Sequence, residues 1–175
     1  DPIDVCEIGS RVAQRGEVIK VKVVGVLALI DEGETDWKLI AIDVNDPLAD
    51  QLNDIGDVEM LLPGLLRATH EWFKIYKVPD GKPPNEFAFN GEVKRRDFAE
   101  RIITETHKYW KDLVAAPTNE SGLDLKNTTL TNSFKIDGLT DGQTIINQKP
   151  QSETVPAEPI ADQTAIDKWY YITLP

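Results

Sequence analysis

Asp31-Glu32-Gly33-Glu34-Thr35-Asp36-Trp37-Lys38 joins two runs that read as β-strands, residues 18–30 and 37–42. Gly33 offers a permissive backbone position, and Glu34, Thr35 and Asp36 prolong a polar connection, so the stretch reads as a hairpin loop. Asp31, Glu32, Glu34 and Asp36 crowd carboxylates onto it. Like charges this close repel, and burying an unpaired carboxylate is costly or shifts its pKa. Such a loop is stable either fully in water or around a cation. In a strand, side chains two apart share a face, which puts Asp36 and Lys38 on one side and Trp37, Leu39 and Ala41 on the other. A lysine that attracts anions beside an aspartate that attracts cations suits a metal-bound phosphate. An acidic, solvated hairpin is the other reading of the same residues.

Outward from the hairpin, the first strand carries Val18, Ile19, Val21, Val23, Val24, Val26, Leu27 and Leu29. Its Val21-Lys22-Val23 alternation suits a half-exposed start, and the continuous apolar part suits burial on both faces. Gly25 inside it points to a bend or bulge, as barrel strands often have. Upstream, Asp1 and Asp4 flank Pro2, which stiffens a short segment bearing two carboxylates. Downstream, Asp46-Pro47 reads as the start of a short helix broken by Asn53, Asp54 and Gly56. Asp57 caps a further turn, which Pro63-Gly64 stops. Helical spacing follows over 65–76, then a Pro- and Gly-punctuated loop over 78–85, then a second helix over about 93–113.

Residues 118–165 are polar and Pro-rich and keep no periodicity, so they read as an extended arm that is ordered only where it packs. Aromatic and β-branched character returns at 166–172, which reads as a terminal anchoring strand. The organisation is therefore 1–116 followed by an arm over 117–175.

A net charge of −11 argues against binding nucleic acid or anionic lipid through a bulk field, and favours cations. No apolar run is long enough to cross a bilayer. Cys6 is the single cysteine, so no intrachain disulfide can form and a reducing compartment fits. His70 and His107 lack partners at ligand spacing and read as structural. Cys6 reads as an apolar residue, and Trp72, Phe73, Tyr109 and Trp110 as core aromatics. Periodicity alone makes Tyr76 core and Lys77 solvated. Asn119-Glu120-Ser121 and Asn127-Thr128-Thr129 fit the glycosylation sequon, a match read as chance.

Together these residues carry a family resemblance. Asp1-Pro2-Ile3-Asp4-Val5 resembles the second half of the D-x-D-P-x-D signature of soluble family I inorganic pyrophosphatases. Leu29 through Lys38, Pro63-Gly64-Leu65-Leu66-Arg67-Ala68-Thr69 and Trp72 through Pro83 follow in that family's order. The resemblance runs from Asp1 to about Leu113, resumes at Asp167-Lys168-Trp169, and is closest to the animal and fungal branch.

The resemblance implies an α+β fold, part of a small closed OB-like β-barrel with helices packed outside and the site at its mouth. It implies Mg²⁺-dependent hydrolysis of pyrophosphate to two phosphates by activated water, with no covalent intermediate. By matched position, Asp4 would ligate the activating metals. Asp36 would share the first of them and, with Asp31, hold metal arriving with substrate. Asp1 would orient or deprotonate the attacking water, and Lys38, Tyr76 and Lys77 would hold phosphate oxygens. Asp4, Asp31 and Asp36 are expected to face one cavity, with Lys38 the only basic neighbour in sequence. A homodimer contact through Trp169 and a cytoplasmic location, with the mitochondrial matrix as alternative, are further expectations. The first Asp of the signature and the upstream Glu, Lys, Arg and Tyr positions would precede Asp1, so a fragment of the catalytic domain is expected. A catalytically inert acidic module that binds metal or protein is the competing expectation.

Overall fold

A computed structural model of the chain describes residues 2–14, 16–116, 118, 120 and 122–148. Asp1, Trp169 and the expected terminal strand over 166–172 lie outside the described residues. The chain divides into two compact units, Asp1–Lys108 and Tyr109–Pro175.

The first unit is built on a five-stranded sheet. β1 (Asp4–Glu7), β2 (Val21–Asp31), β3 (Glu34–Asp43) and β4 (Glu86–Phe87) are arranged in the order β1-β3-β2-β4, and β5 (Lys94–Arg95) pairs with β2 away from that path. β1 runs parallel to β3, and the remaining pairs are antiparallel. Among the described residues the sheet is open. Helices α1 (Ile55–Leu61), α2 (Leu65–Ile75) and α3 (Arg96–Val114) follow the main hairpin.

β2 reads as an almost unbroken apolar run because both of its faces are covered. On one side Val24, Ile40 and Ile42 pack with Leu52, Val58 of α1 and Leu66 of α2. On the other, Val26 and Leu39 pack with Ala99 of α3, with Trp37, Phe98 and Ile103 around them. The register shift falls between Val23 and Gly25, where the sequence places a bulge. The extra residue, Val24, turns toward α1 and α2. A Cβ on Gly25 would lie 2.3 Å from Ile55 Cδ1 and 2.6 Å from the Lys94 carbonyl oxygen. Only glycine lets α1 and β5 approach the strand this closely.

The hairpin connection is shorter than its polarity implies. Asp31 pairs with Glu34, Ile30 with Thr35 and Leu29 with Asp36, which leaves Glu32-Gly33 as a two-residue turn. Both have positive φ, 51° and 89°, as the primed hairpin turns need. Glu34, Thr35 and Asp36 are thus strand residues held in register, not loop.

Three helix expectations change. Asp46-Pro47 opens a series of tight turns instead of a helix: Asp46 Oδ1 accepts from Leu48 N, while Oδ2 holds the backbone and hydroxyl of Ser10. α1 covers the further turn expected from Asp57 but starts earlier, at Ile55, with Asp54 as N-cap and Asp57 closing the reciprocal capping box. Asp54 also binds Arg95 at 2.7 Å, which ties the starts of α1 and α3 together. In the second unit, where no periodicity is legible, α4 forms over Thr140–Gln148. Asp137 Oδ1 accepts from the backbone of Leu139 and Thr140, and this cap marks the start that sparse apolar spacing hides. Asn127, buried nearby in sequence, folds its own loop by accepting from Thr129 N and Leu130 N.

Candidate active site

Strand register assembles the site. β1 sets Asp4 beside Lys38, and β2 sets Leu27 beside Lys38, Leu29 beside Asp36 and Asp31 beside Glu34. Paired residues and their second neighbours share a face, so Asp4, Asp31, Asp36 and Lys38 all lie on the α1/α2 side of the sheet. Toward the other end of β3 that face is the apolar core of Ile40 and Ile42, and at the hairpin end it turns charged.

Lys38 is the buried member, 4% exposed. Its ammonium donates to Asp4 Oδ2 and, at 2.6 Å, to Asp36 Oδ2. Burial pulls the Lys38 pKa down, but the hydrogen bonds and charges of Asp36 and Asp4 outweigh it and the net shift is upward. Lys38 is therefore a cation through the physiological range. The two carboxylate side chains are 60% and 36% exposed, so each keeps a face to solvent. Phe73 of α2 lies against the cluster, with Lys38 Nζ 5.6 Å from its ring centroid.

A second ion pair follows at the end of α2. Lys77 Nζ donates to Asp31 Oδ2 at 2.8 Å, and this bond chiefly raises the Lys77 pKa. Asp31 thus has a basic partner that sequence proximity does not reveal, 46 residues away. Tyr76 caps α2 through its backbone N–H to Trp72, and its ring stacks on Trp72 at 4.9 Å and 16°. Lys77 Nζ lies 5.6 Å from the Tyr76 centroid. Phe73 meets Tyr76 edge-on at 5.8 Å and so touches both the Lys38 cluster and the Tyr76 ring.

A groove of about 410 Å³ opens beside Asp31 and Lys77, lined also by Glu32, Lys82, Asn85 and Glu86. It does not include Asp4, Asp36 or Lys38. The buried ammonium and its two carboxylates lie outside this groove, at the charged end of the same sheet face. Asn85 fixes the groove's far wall by bonding the Lys74 and Phe73 carbonyls through its N–H and Nδ2.

Lys38, Asp4 and Asp36 form one cluster and Asp31 with Lys77 another, with Tyr76 held between them by aromatic contacts. Trp72, read from spacing as a core aromatic, is 58% exposed, and Tyr109 and Trp110 are exposed as well. Phe73 and Trp72, read from the sequence only as core aromatics, and Asn85, not read at all, are the site's further neighbours. The i, i+4 spacing of Trp72 and Tyr76 on a helix is a legible sign of their contact, whereas nothing local marks Asn85. His70 packs against Phe87 with ring centroids 4.2 Å apart, and Cys6 packs on the core, as expected of structural residues.

Among the described residues no three His, Cys, Asp or Glu side chains are placed to hold a metal ion. Asp4 and Asp36 nevertheless meet at one ammonium with solvent-facing carboxylates. Hydrated Mg²⁺ commonly takes one or two carboxylates and completes its shell from water and phosphate, and this donor pair fits that pattern.

Residues 1–111 match the family model described as inorganic pyrophosphatase. The chain is 55% identical over 174 residues to the inorganic pyrophosphatase of Drosophila melanogaster, covering 99% of this chain and 50% of that protein. The structure of inorganic pyrophosphatase from Schistosoma japonicum superposes with a TM-score of 0.66 at 58% identity, over 71% of this chain and 44% of that one. A truncated vacuolar soluble pyrophosphatase of Trypanosoma cruzi in complex with PPi gives 0.64 at 50% identity, over 65% of this chain and 43% of that one. The chain thus spans about half the length of the curated relatives it matches.

Proposed function

The chain belongs to the inorganic pyrophosphatase family, and on that premise we propose that its charged sheet end serves Mg²⁺-dependent hydrolysis of pyrophosphate. The observation that carries this reading is Lys38, a buried ammonium shared by Asp4 and Asp36 at the hairpin end of an otherwise apolar sheet face.

In the reaction, water oxygen bonds to one phosphorus, the bond from that phosphorus to the bridging oxygen breaks, and the bridging oxygen leaves with the second phosphate. Asp4 and Asp36 are the residues that would hold Mg²⁺, with Asp31 beside them. When bound, the ion supplies Lewis-acid charge to water and phosphate oxygens. Two of Lys38's three N–H donors are engaged among the described residues, and the third would meet a phosphate oxygen. Lys77, held by Asp31, and the Tyr76 hydroxyl complete a set of donors aimed at charge that grows on the transferring and leaving groups. Asp1, outside the described residues, takes the role of orienting water or accepting its proton, by match to the family signature.

The bulged, two-sided β2 supports the sheet as one wall of a small OB-like barrel. On the same family premise we propose a homodimer with Trp169 as a candidate contact, and a cytoplasmic location with the mitochondrial matrix as the alternative.

The test is calorimetric titration of the full-length protein that carries this sequence with pyrophosphate, with and without Mg²⁺, alongside phosphate release in the same samples. Binding that requires Mg²⁺ and weakens about tenfold or more in Lys38→Ala supports the site, since a hydrogen bond to a charged group contributes about 1.5–3 kcal/mol. No pyrophosphate binding at all overturns it. Mg²⁺ binding with no response to pyrophosphate favours the inert acidic module.

A further inference from the structure

Resting on that reading, we propose that Trp72 is a positioning residue for the reaction: it fixes the Tyr76 ring so that the phenol oxygen is presented to substrate phosphate. Tyr76 stands at the end of α2, where the chain turns into the 3₁₀ segment Val78–Asp80, and backbone contacts alone leave its side chain several rotamers. Trp72 lies one helical turn earlier and covers one face of the phenol ring, with centroids 4.9 Å apart and planes at 16°. Phe73 closes the edge at 88°, and packs on Trp72 itself at 4.9 Å and 79°. The three rings form a bracket around one hydroxyl-bearing side chain.

Trp72 makes ring contacts with both Phe73 and Tyr76. The bracket is also continuous with the cationic cluster, because Phe73 lies under Lys38 while Lys77 lies 5.6 Å from the Tyr76 ring. Stacking therefore sets the angle of the Tyr76 hydroxyl relative to both ammonium groups. An aromatic pair of this kind contributes enough to change a contact that depends on it by about three- to tenfold.

The test compares Trp72→Phe, which can still stack, with Trp72→Leu, which keeps apolar bulk but cannot. Pyrophosphate affinity in Mg²⁺ is measured for each in the full-length protein that carries this sequence, alone and combined with Tyr76→Phe. The Tyr76 ring is followed by ¹⁹F signals of 3-fluorotyrosine, identified by the resonance that Tyr76→Phe removes. We expect Trp72→Leu to weaken pyrophosphate about three- to tenfold and to broaden or shift the Tyr76 signal. Trp72→Phe should restore most of both, and Trp72→Leu should have no further effect once Tyr76→Phe has removed the hydroxyl. Equal affinities for the Leu and Phe variants would overturn the proposal, as would an undiminished Leu effect in the Tyr76→Phe background. A wild-type chain that binds no pyrophosphate would defeat the functional reading and the phosphate half of this proposal. The stacking half is then decided by the ¹⁹F signal alone.

Discussion

At the scale of single residues, the behaviour of this site turns on an ammonium that the fold has taken out of water. Lys38 tolerates burial because Asp4 and Asp36 both accept from it, so each carboxylate is a partial substitute for the other. Asp36→Asn or Asp4→Asn alone leaves one anion in place and should destabilise modestly. The double variant strands a buried cation, and breaking a buried pair in this way costs about 3–5 kcal/mol. The two changes should therefore be more than additive in urea unfolding, and simple additivity would show that solvent reaches Lys38 freely. The upward pKa shift adds a second signature. A lysine raised in the folded state stabilises fully below its ordinary value near 10.5, and that stabilisation is lost as pH climbs through the raised value. The stability gap between wild type and Lys38→Met should accordingly narrow above about pH 10.5. His70 moves in the opposite sense: burial, then the charge of Lys74, lowers its pKa, with Glu71 opposing. Its contribution is present above its ordinary value near 6.5 and declines as pH falls toward the lowered one. Melting at pH 7.5 and 5.5 should thus favour wild type over His70→Gln more at the higher pH.

At the scale of elements, β2, β3, α2 and α3 are legible in the sequence whereas β1, β4, β5 and α4 are not, and the reason is the range of the forces that define them. β2 and β3 announce themselves through a β-branched run, and the bulge through Gly25, because those features are local. Polarity overstates the length of the hairpin turn, since it marks solvent exposure and not the end of pairing: Thr35 and Asp36 are polar yet paired. The short helix expected from Asp46-Pro47 does not form and α1 starts at Ile55, ahead of the turn expected from Asp57, because tertiary bonds decide which aspartate caps a helix. Asp46 is drawn to Ser10, whereas Asp54 gains Arg95 and a capping-box partner. The site shows the same division. The spacing of Asp36 and Lys38 placed them on one face, but the pairing of Asp31 with Lys77 and the exposure of Trp72 depend on how α2 lies on the sheet. Gly25 offers the test at this scale. Gly25→Ala would push a methyl into Ile55 and the Lys94 carbonyl, and overpacking of this kind costs about 1–3 kcal/mol. Gly25→Ala combined with Ile55→Val, which shortens the clashing side chain, should recover part of that loss. A Gly25→Ala chain as stable as wild type would show that α1 does not rest on β2 as described.

At the scale of the whole molecule, the chain carries a net charge of −11 while its proposed substrate is a polyanion, and the two conditions are reconciled only by cations. Lys38 and Lys77 supply two, but each is already paired with carboxylate, so the charged sheet end has little positive charge to spare. Added Mg²⁺ therefore has two effects that can be separated. It screens the excess negative charge as any salt does, and on the proposed reading it also loads the carboxylates that face solvent at the hairpin end. A ligand at 100 times its dissociation constant stabilises the state it binds by about 2.7 kcal/mol. For a chain of this size that is a rise of roughly 5–11 °C in the melting midpoint. The midpoint of the 175-residue chain should rise with MgCl₂ beyond the rise in NaCl of equal ionic strength, and rise again when pyrophosphate is added. Asp36→Asn should lose most of the Mg²⁺-specific part while keeping the NaCl response, because the substitution removes a ligand charge and leaves the global field almost unchanged. Identical curves in the two salts would mean that the carboxylates only set net charge, and the metal role assigned to Asp4 and Asp36 would fall with them.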